Sequence, residues 1–167
     1  LARFEQSKVD GCLAYWHAAG NFSGLVEGNV PNSAWWLFRE YVNMSGELVS
    51  ATPSYTSIST LAVYDRNTKT LKVLLGGDDQ EELTLTFRNT PFKERVYYEV
   101  WEIEWSGYTG IYISPDLLEK GYTEVLNGGF SLKLQNLSEM SAYLILVRKD
   151  EGSRQIYQSV WKWRQEA

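Results

Sequence analysis

Leu61-Ala62-Val63-Tyr64-Asp65, then Arg66-Asn67-Thr68-Lys69-Thr70, then Leu71-Lys72-Val73-Leu74-Leu75: two apolar runs flank a polar turn, the pattern of a β-hairpin. Working outward, Gly76-Gly77-Asp78-Asp79 supplies the next turn. Leu83, Leu85 and Phe87 alternate with Thr84, Thr86 and Arg88, which gives one core face and one wet face. Residues 95–105 form a long strand whose alternation slips near Trp101-Glu102, the mark of a β-bulge. Phe130, Leu132 and Leu134 alternate with Ser131 and Lys133. Tyr143, Ile145 and Val147 alternate with Ala142, Leu144 and Leu146, so both faces of that strand are apolar and it belongs in the middle of a sheet. Tyr157, Ser159, Trp161 and Trp163 alternate once more. About eight short strands separated by turns predict a mainly β chain, with an antiparallel β-sandwich over residues 47–167.

Residues 1–46 follow a different grammar. Residues 2–8 read as the end of a helix anchored by Phe4, and Asp10-Gly11 breaks it. Cys12-Leu13-Ala14-Tyr15-Trp16 is a continuous apolar run, suited to a strand buried on both faces. A polar, glycine-bearing loop spans 17–30. Pro31-Asn32-Ser33 opens a second helix with a capping side chain, and Ala34, Leu37, Phe38, Tyr41 and Met44 give it an apolar stripe. Gly46 stands where a terminating glycine belongs. A helix–strand–helix unit of this kind cannot bury its own strand. It reads as the end of a larger α/β domain, with the domain boundary at residue 46.

Composition narrows the function. The 167 residues suit roughly one domain. Lys and Arg total 16 against 21 Asp and Glu, and the net charge of −5 argues against a nucleic-acid partner. One cysteine, Cys12, excludes an internal disulfide framework and a cysteine-based zinc site. No apolar run approaches the roughly 20 residues of a membrane span, so no membrane partner is expected. No signal peptide is visible, and the first residue, Leu1, points to a processed product or a fragment.

Leu13-Ala14-Tyr15-Trp16-His17, Leu25-Val26-Glu27, Pro31-Asn32-Ser33-Ala34-Trp35-Trp36-Leu37-Phe38-Arg39-Glu40-Tyr41 and Met44-Ser45-Gly46 together resemble the end of the catalytic barrel in clan A retaining glycoside hydrolases. The likeness is to the β-xylosidase-like family 39 and related barrels with a C-terminal β-sandwich. It implies that 12–16 is barrel strand eight of a (β/α)8 barrel, that 31–45 is barrel helix eight, and that the rest is the appended sandwich. The text at 62–65, 71–77 and 141–146 fits that sandwich, whereas 152–167 has no counterpart. In this family the acid/base glutamate follows an asparagine after strand four, and the nucleophile ends strand seven. The chain contains no Asn-Glu dipeptide, and strand seven would precede Leu1. The resemblance therefore implies a chain without its own catalytic pair of carboxylates, which in a retaining enzyme sit about 5–5.5 Å apart. Its partners would be an oligo- or polysaccharide and the missing N-terminal barrel segment or chain.

The same resemblance points to substrate-binding residues. Trp16 and His17 fall at the C-terminal end of the barrel strand, the end that faces substrate. Trp16 could stack on a sugar ring, His17 and Asn21 could bond hydroxyls, and Glu27 is the one carboxylate of that loop. Against this stand a core Trp16, a merely polar His17 and a solvated Glu27. Cys12 reads as a core residue rather than a nucleophile paired with His17, and Gly20-Asn21-Phe22-Ser23-Gly24 misplaces its serine for a hydrolase elbow. Trp101, Trp105, Tyr108 and Tyr112 cluster at one strand end and form an alternative glycan platform, or else fill a core or an interface. Glu99, Glu102 and Glu104 read as a solvated face, and no metal site or cofactor is implied.

Three sequons, Asn21-Phe22-Ser23, Asn43-Met44-Ser45 and Asn136-Leu137-Ser138, together with the resemblance, suggest an extracellular protein or one on a secretory route. Two functions follow. One is the C-terminal portion of a glycoside hydrolase, completing its barrel and supplying an accessory sandwich. The other is a free-standing, non-catalytic carbohydrate-binding module.

Overall fold

The central strand of the molecule is β10 (Ser141–Lys149), hydrogen-bonded on both edges as its two apolar faces require. The computed structural model of the chain describes residues 5, 7, 25–27, 30–107, 110–112 and 114–149. In chain order these hold β1 (Val26–Glu27), β2 (Val30–Pro31), α1 (Ser33–Val42), β3 (Glu47–Val49), β4 (Ile58–Asp65), β5 (Thr70–Gly77), β6 (Gln80–Phe87), β7 (Arg95–Glu104), β8 (Asp116–Glu124), β9 (Phe130–Leu137) and β10. An antiparallel six-stranded sheet runs β3-β4-β5-β10-β7-β8, and β6 pairs with β9 in a separate ribbon. The expected strand at 12–16, the tail strand at 157–163 and nearly all of the first helix lie outside the described residues. Within the expected loop, Val26 pairs with Pro31 and Glu27 with Val30.

The opening hairpin forms as read, with Asp65 opposite Thr70. Asp65 organises its turn: Oδ1 accepts the Asn67 and Thr68 N–H groups at 2.8 and 3.2 Å, and Oδ2 accepts the Ser45 hydroxyl at 3.0 Å. Those bonds, the Thr68 and Asn67 amides foremost, hold its carboxyl below the ordinary aspartate range. The irregularity expected near Trp101-Glu102 lies in the partner strand. Pairing of β7 with β10 is unbroken, while Val100 faces Glu119 and Trp101 faces Leu117, so Leu118 of β8 is the extra residue. The alternation slips in β7 because that strand is buried on both faces, Val100 on one and Ile103 on the other.

One face of the large sheet packs on the β6–β9 ribbon. Val73, Leu75, Val96, Val100, Tyr143, Ile145 and Val147 meet Leu83, Phe130, Leu132 and Leu134 in one core, and Ile145 and Val147 have no exposed surface. Each such aliphatic side chain contributes about 1.5–3 kcal/mol through burial. This is the predicted sandwich. The opposite face takes α1, whose Leu37 and Tyr41, with Met44 just beyond the helix, pack on Leu74, Leu144 and Leu146. The capping side chain expected within 31–33 is that of Asn32, whose Oδ1 accepts the Trp35 N–H at 3.0 Å, while Pro31 lies in β2, ahead of the helix. The helix ends earlier than expected, at the Asn43 cap, and Gly46 is not its terminator. Gly46 instead has φ +125° beside β4, where a Cβ would lie 2.4 Å from the Tyr64 carbonyl oxygen.

Two turns shape the end of the sandwich opposite Ser141. Asn127 and Gly128 both have positive φ, and Leu126 and Gly129 exchange backbone hydrogen bonds at 2.8 and 3.0 Å, which makes Asn127-Gly128 a tight two-residue hairpin turn. Thr90 ties the 88–94 connection to that turn, its N–H and Oγ1 both donating to the Gly128 carbonyl at 2.8 and 3.1 Å.

Candidate functional site

The segment that leads into α1 is locked to the β7–β8 connection. Asn32 and Ser33 are 2% and 3% exposed, so their polar groups need partners. Ser33 N–H donates to Ser106 Oγ at 3.1 Å, the two hydroxyls lie 3.1 Å apart, and Ser106 N–H donates to Ser33 Oγ at 3.0 Å. Tyr112 closes the other side. Its backbone N–H donates to the Pro31 carbonyl at 2.9 Å, and its carbonyl accepts Trp36 Nε1–H at 2.7 Å. Its hydroxyl accepts the Glu104 N–H at 3.2 Å and lies 3.1 Å from the Glu102 carbonyl and 3.0 Å from Asp116 Oδ2, one of which takes its proton. Burial first, then the Asp116 carboxylate, raises this phenol to about 12.

Beside this junction a groove of about 370 Å³ opens between α1 and the ends of β7 and β10. Ala34, Leu37, Ile103 and Ala142 line it, with Trp105 and Met140 at 38% and 53% exposure. Its polar lining is Ser33, Ser141 and one carboxylate, Glu139. An indole wall, an apolar floor and a few polar groups form a surface that can hold the C–H face of a sugar. A single carboxylate does not furnish the acid and nucleophile of glycoside hydrolysis in that groove.

The residues singled out from sequence occupy different settings. Trp16, His17, Asn21 and Tyr108 lie outside the described residues, and Glu27 is placed only through its backbone, in β1 opposite Val30. Trp101 is half-buried under α1 against the Leu74–Leu144–Leu146 cluster. Trp105 walls the groove, and Tyr112 is a junction residue bonded at both backbone and hydroxyl.

The acidic set of β7 is not a uniformly solvated face. Glu99 is 3% exposed on the α1 side of the sheet. Its oxygens accept Tyr97 Oη–H at 3.0 Å, Trp101 Nε1–H at 3.0 Å and Arg148 Nη2–H at 3.4 Å. A carboxylate this deep requires such partners. Burial and then the bond to Glu99 push the Tyr97 phenol up to about 12. Glu102 faces the other core and accepts the hydroxyl proton of Tyr143, itself 1% exposed, at 3.1 Å. Strand alternation separates the two faces, but only pairing with β10 shows that both are covered. Among the described residues no group of three or more His, Cys, Asp or Glu is placed to hold a metal ion, and no helix is long and apolar enough to cross a membrane.

The chain is glycoside hydrolase-like. It is 25% identical over 166 residues to a 3-O-beta-L-arabinopyranosyl-alpha-L-arabinofuranosidase of Bifidobacterium pseudocatenulatum, a match covering 86% of this chain and 17% of that protein. It is likewise 25% identical to a 3-O-alpha-D-galactosyl-alpha-L-arabinofuranosidase of Bifidobacterium longum subsp. longum, covering 88% and 14%. The chain thus spans about a sixth of the length of these curated relatives. Its fold is similar to N2152 from Neocallimastix frontalis, with a TM-score of 0.81 at 23% identity over 89% of this chain and 39% of that one. It is more distantly similar to a glucosidase from Croceicoccus marinus, with a TM-score of 0.53 at 9% identity over 70% of this chain and 30% of that one. No protein-family model matches the chain.

Proposed function

We propose that the chain is the C-terminal portion of a carbohydrate-active glycoside hydrolase, one that completes a catalytic barrel and supplies an accessory β-sandwich without a catalytic carboxylate pair of its own. The observation that carries this is the likeness to two arabinofuranosidases across nearly the whole chain but only 14–17% of their length. The family 39-like text at 31–46 supports it, as does the packing of α1 on the face of the large sheet opposite the ribbon. In this reading residues 1–46 are the last unit of the barrel, and 47–167 are the sandwich. The same reading gives Trp16, at the end of the strand, and His17, Asn21 and Glu27, in the loop after it, the contacts to the sugar. The Ser33–Ser106 and Tyr112 bonds then hold the exit of that loop against the sandwich, so the accessory domain fixes a wall of the substrate site. The substrate class is an arabinofuranosyl-bearing oligo- or polysaccharide, met outside the cell.

Hydrolysis of a chromogenic α-L-arabinofuranoside tests this. The polypeptide as its source produces it should release the chromophore, and the isolated 167-residue chain should not. Hydrolysis by the chain alone would overturn the assignment of the carboxylates to another segment. Inertness of the whole polypeptide toward every glycoside tried would overturn the hydrolase reading itself.

A further inference from the structure

We propose that the groove between α1 and the ends of β7 and β10 is a distal subsite, which holds a neutral stretch of the polysaccharide beyond the sugar being cleaved; this deepens the hydrolase reading above and rests on it. Strand pairing sets Ile103 opposite Ala142, and the Trp105 N–H, donating to the Met140 carbonyl at 2.8 Å, carries that ladder one step past the strand ends. These four residues line the groove together with Ala34 and Leu37 of α1. Its volume of about 370 Å³ lies near the lower end of the roughly 300–1,000 Å³ usual for ligand pockets.

Three observations point to a glycan chain at this place. First, the indole is held ready. The N–H groups of Glu104, Trp105 and Ser106 are all engaged, by Tyr112 Oη at 3.2 Å, the Met140 carbonyl at 2.8 Å and Ser33 Oγ at 3.0 Å. The opposite lip is pinned likewise: Glu139 N–H donates to Asp79 Oδ1 at 2.7 Å, and Met140 N–H to Ser138 Oγ at 3.1 Å. A partly exposed tryptophan on so fixed a backbone loses little entropy when the C–H face of a sugar ring stacks on it. Secondly, the charge is one-sided. The lining holds no Lys, Arg or His, and the side chain of its one carboxylate, Glu139, is exposed and makes no hydrogen bond or ion pair among the described residues. A free carboxylate accepts from sugar hydroxyls, and it repels phosphate, sulfate and acidic sugars. Thirdly, the place suits a substrate that extends past the reacting sugar. In a (β/α)8 barrel the loop after each strand lies at the substrate face and leads into the start of the next helix. Ser33, Ala34 and Leu37, which wall the groove, belong to the start of α1. In the reading above the groove therefore opens beside the substrate face, and the Ser33–Ser106 bonds tie its Trp105 lip to the exit of the sugar-facing loop.

The test uses the whole polypeptide and compares kcat/KM on a neutral arabinofuranosyl-bearing polysaccharide with kcat/KM on a small chromogenic α-L-arabinofuranoside. Trp105→Ala should lower the first about tenfold relative to the second, chiefly through KM. Trp105→Phe, which keeps an aromatic ring, should fall between that variant and the parent. Glu139→Gln, at an exposed position, should lower the same ratio by a smaller factor, and it decides the matter should Trp105→Ala fail to fold. A ratio unchanged by Trp105→Ala and Glu139→Gln alike would overturn the subsite, and it would leave the hydrolase reading standing. A polypeptide inert toward every glycoside defeats the hydrolase reading instead. Its titration with arabino-, xylo- and cello-oligosaccharides, followed by tryptophan fluorescence, then judges the groove alone. A saturable change that Trp105→Ala abolishes upholds the groove as a glycan site, and no such change up to about 10 mM overturns it.

Discussion

The two ends of β7 have been built for opposite purposes. At the Glu104 end, Ser33, Ser106, Trp36 and Tyr112 direct their polar groups at one another, and Asn32 and Ser33 are buried. At the Arg95 end, Arg88, Asn89, Glu124 and Asn127 are exposed and engage nothing described, while the backbone beneath them is tightly bonded. Satisfied, buried polar groups fix one segment to another. Exposed ones exchange their hydrogen bonds with water and fix nothing. The first end is a structural junction and the second an open surface, and the difference shows only when side-chain partners are counted.

Substitutions at the two ends should therefore diverge, measured against the core they share. Ile145→Ala, which removes a side chain with no exposed surface, should lower the unfolding free energy by about 2–5 kcal/mol in urea titrations followed by tryptophan fluorescence. At the junction, Ser33→Ala strands the Ser106 N–H and should cost about 1–3 kcal/mol in the same titration. Arg88→Ala, at the open end, should stay within about 0.5 kcal/mol of the parent. A costly Arg88→Ala, or a neutral Ser33→Ala, would erase the distinction.

Alkali offers a further contrast. Tyr97, Tyr98 and Tyr112 are raised from 10.0 to about 12. Burial is the leading cause in each, followed by bonds to Glu99 for Tyr97 and to Glu119 for Tyr98, and by Asp116 for Tyr112. A phenol whose folded value is raised favours the fold fully below the unfolded value and loses that contribution as pH climbs through the folded one. Stability should therefore fall between about pH 10 and 12. Phenolate absorbance should show late-titrating tyrosines, and Tyr112→Phe should remove one of them. An unchanged titration in that variant would contradict the hydrogen bonding assigned to Tyr112.

Much of this was legible in the chain. The hairpin at 61–75 and the central place of 142–147 follow from apolar runs that leave no wet face. A capping side chain within Pro31-Asn32-Ser33 follows from its position before an amphipathic stripe. β8 went unread because Asp116–Glu124 is an edge strand, largely exposed and without a buried stripe to impose alternation. Tyr97 and Trp101 flank Glu99 at the strand period, but its burial was hidden because Arg148 and the cover on that face come from β10 and α1. The end of the sandwich carries a visible signal in Asn127-Gly128, the dipeptide most suited to a two-residue hairpin turn. Its significance still depended on Thr90 and Phe87, which lie far away in the chain.

That this chain works as one part of a larger hydrolase can be checked by the intact mass, under denaturing conditions, of the polypeptide its source produces. A chain well above 19.2 kDa, or a tightly held partner that co-purifies, is expected. A polypeptide of 19.2 kDa with nothing bound to it would contradict that claim and leave a free-standing carbohydrate-binding module in its place.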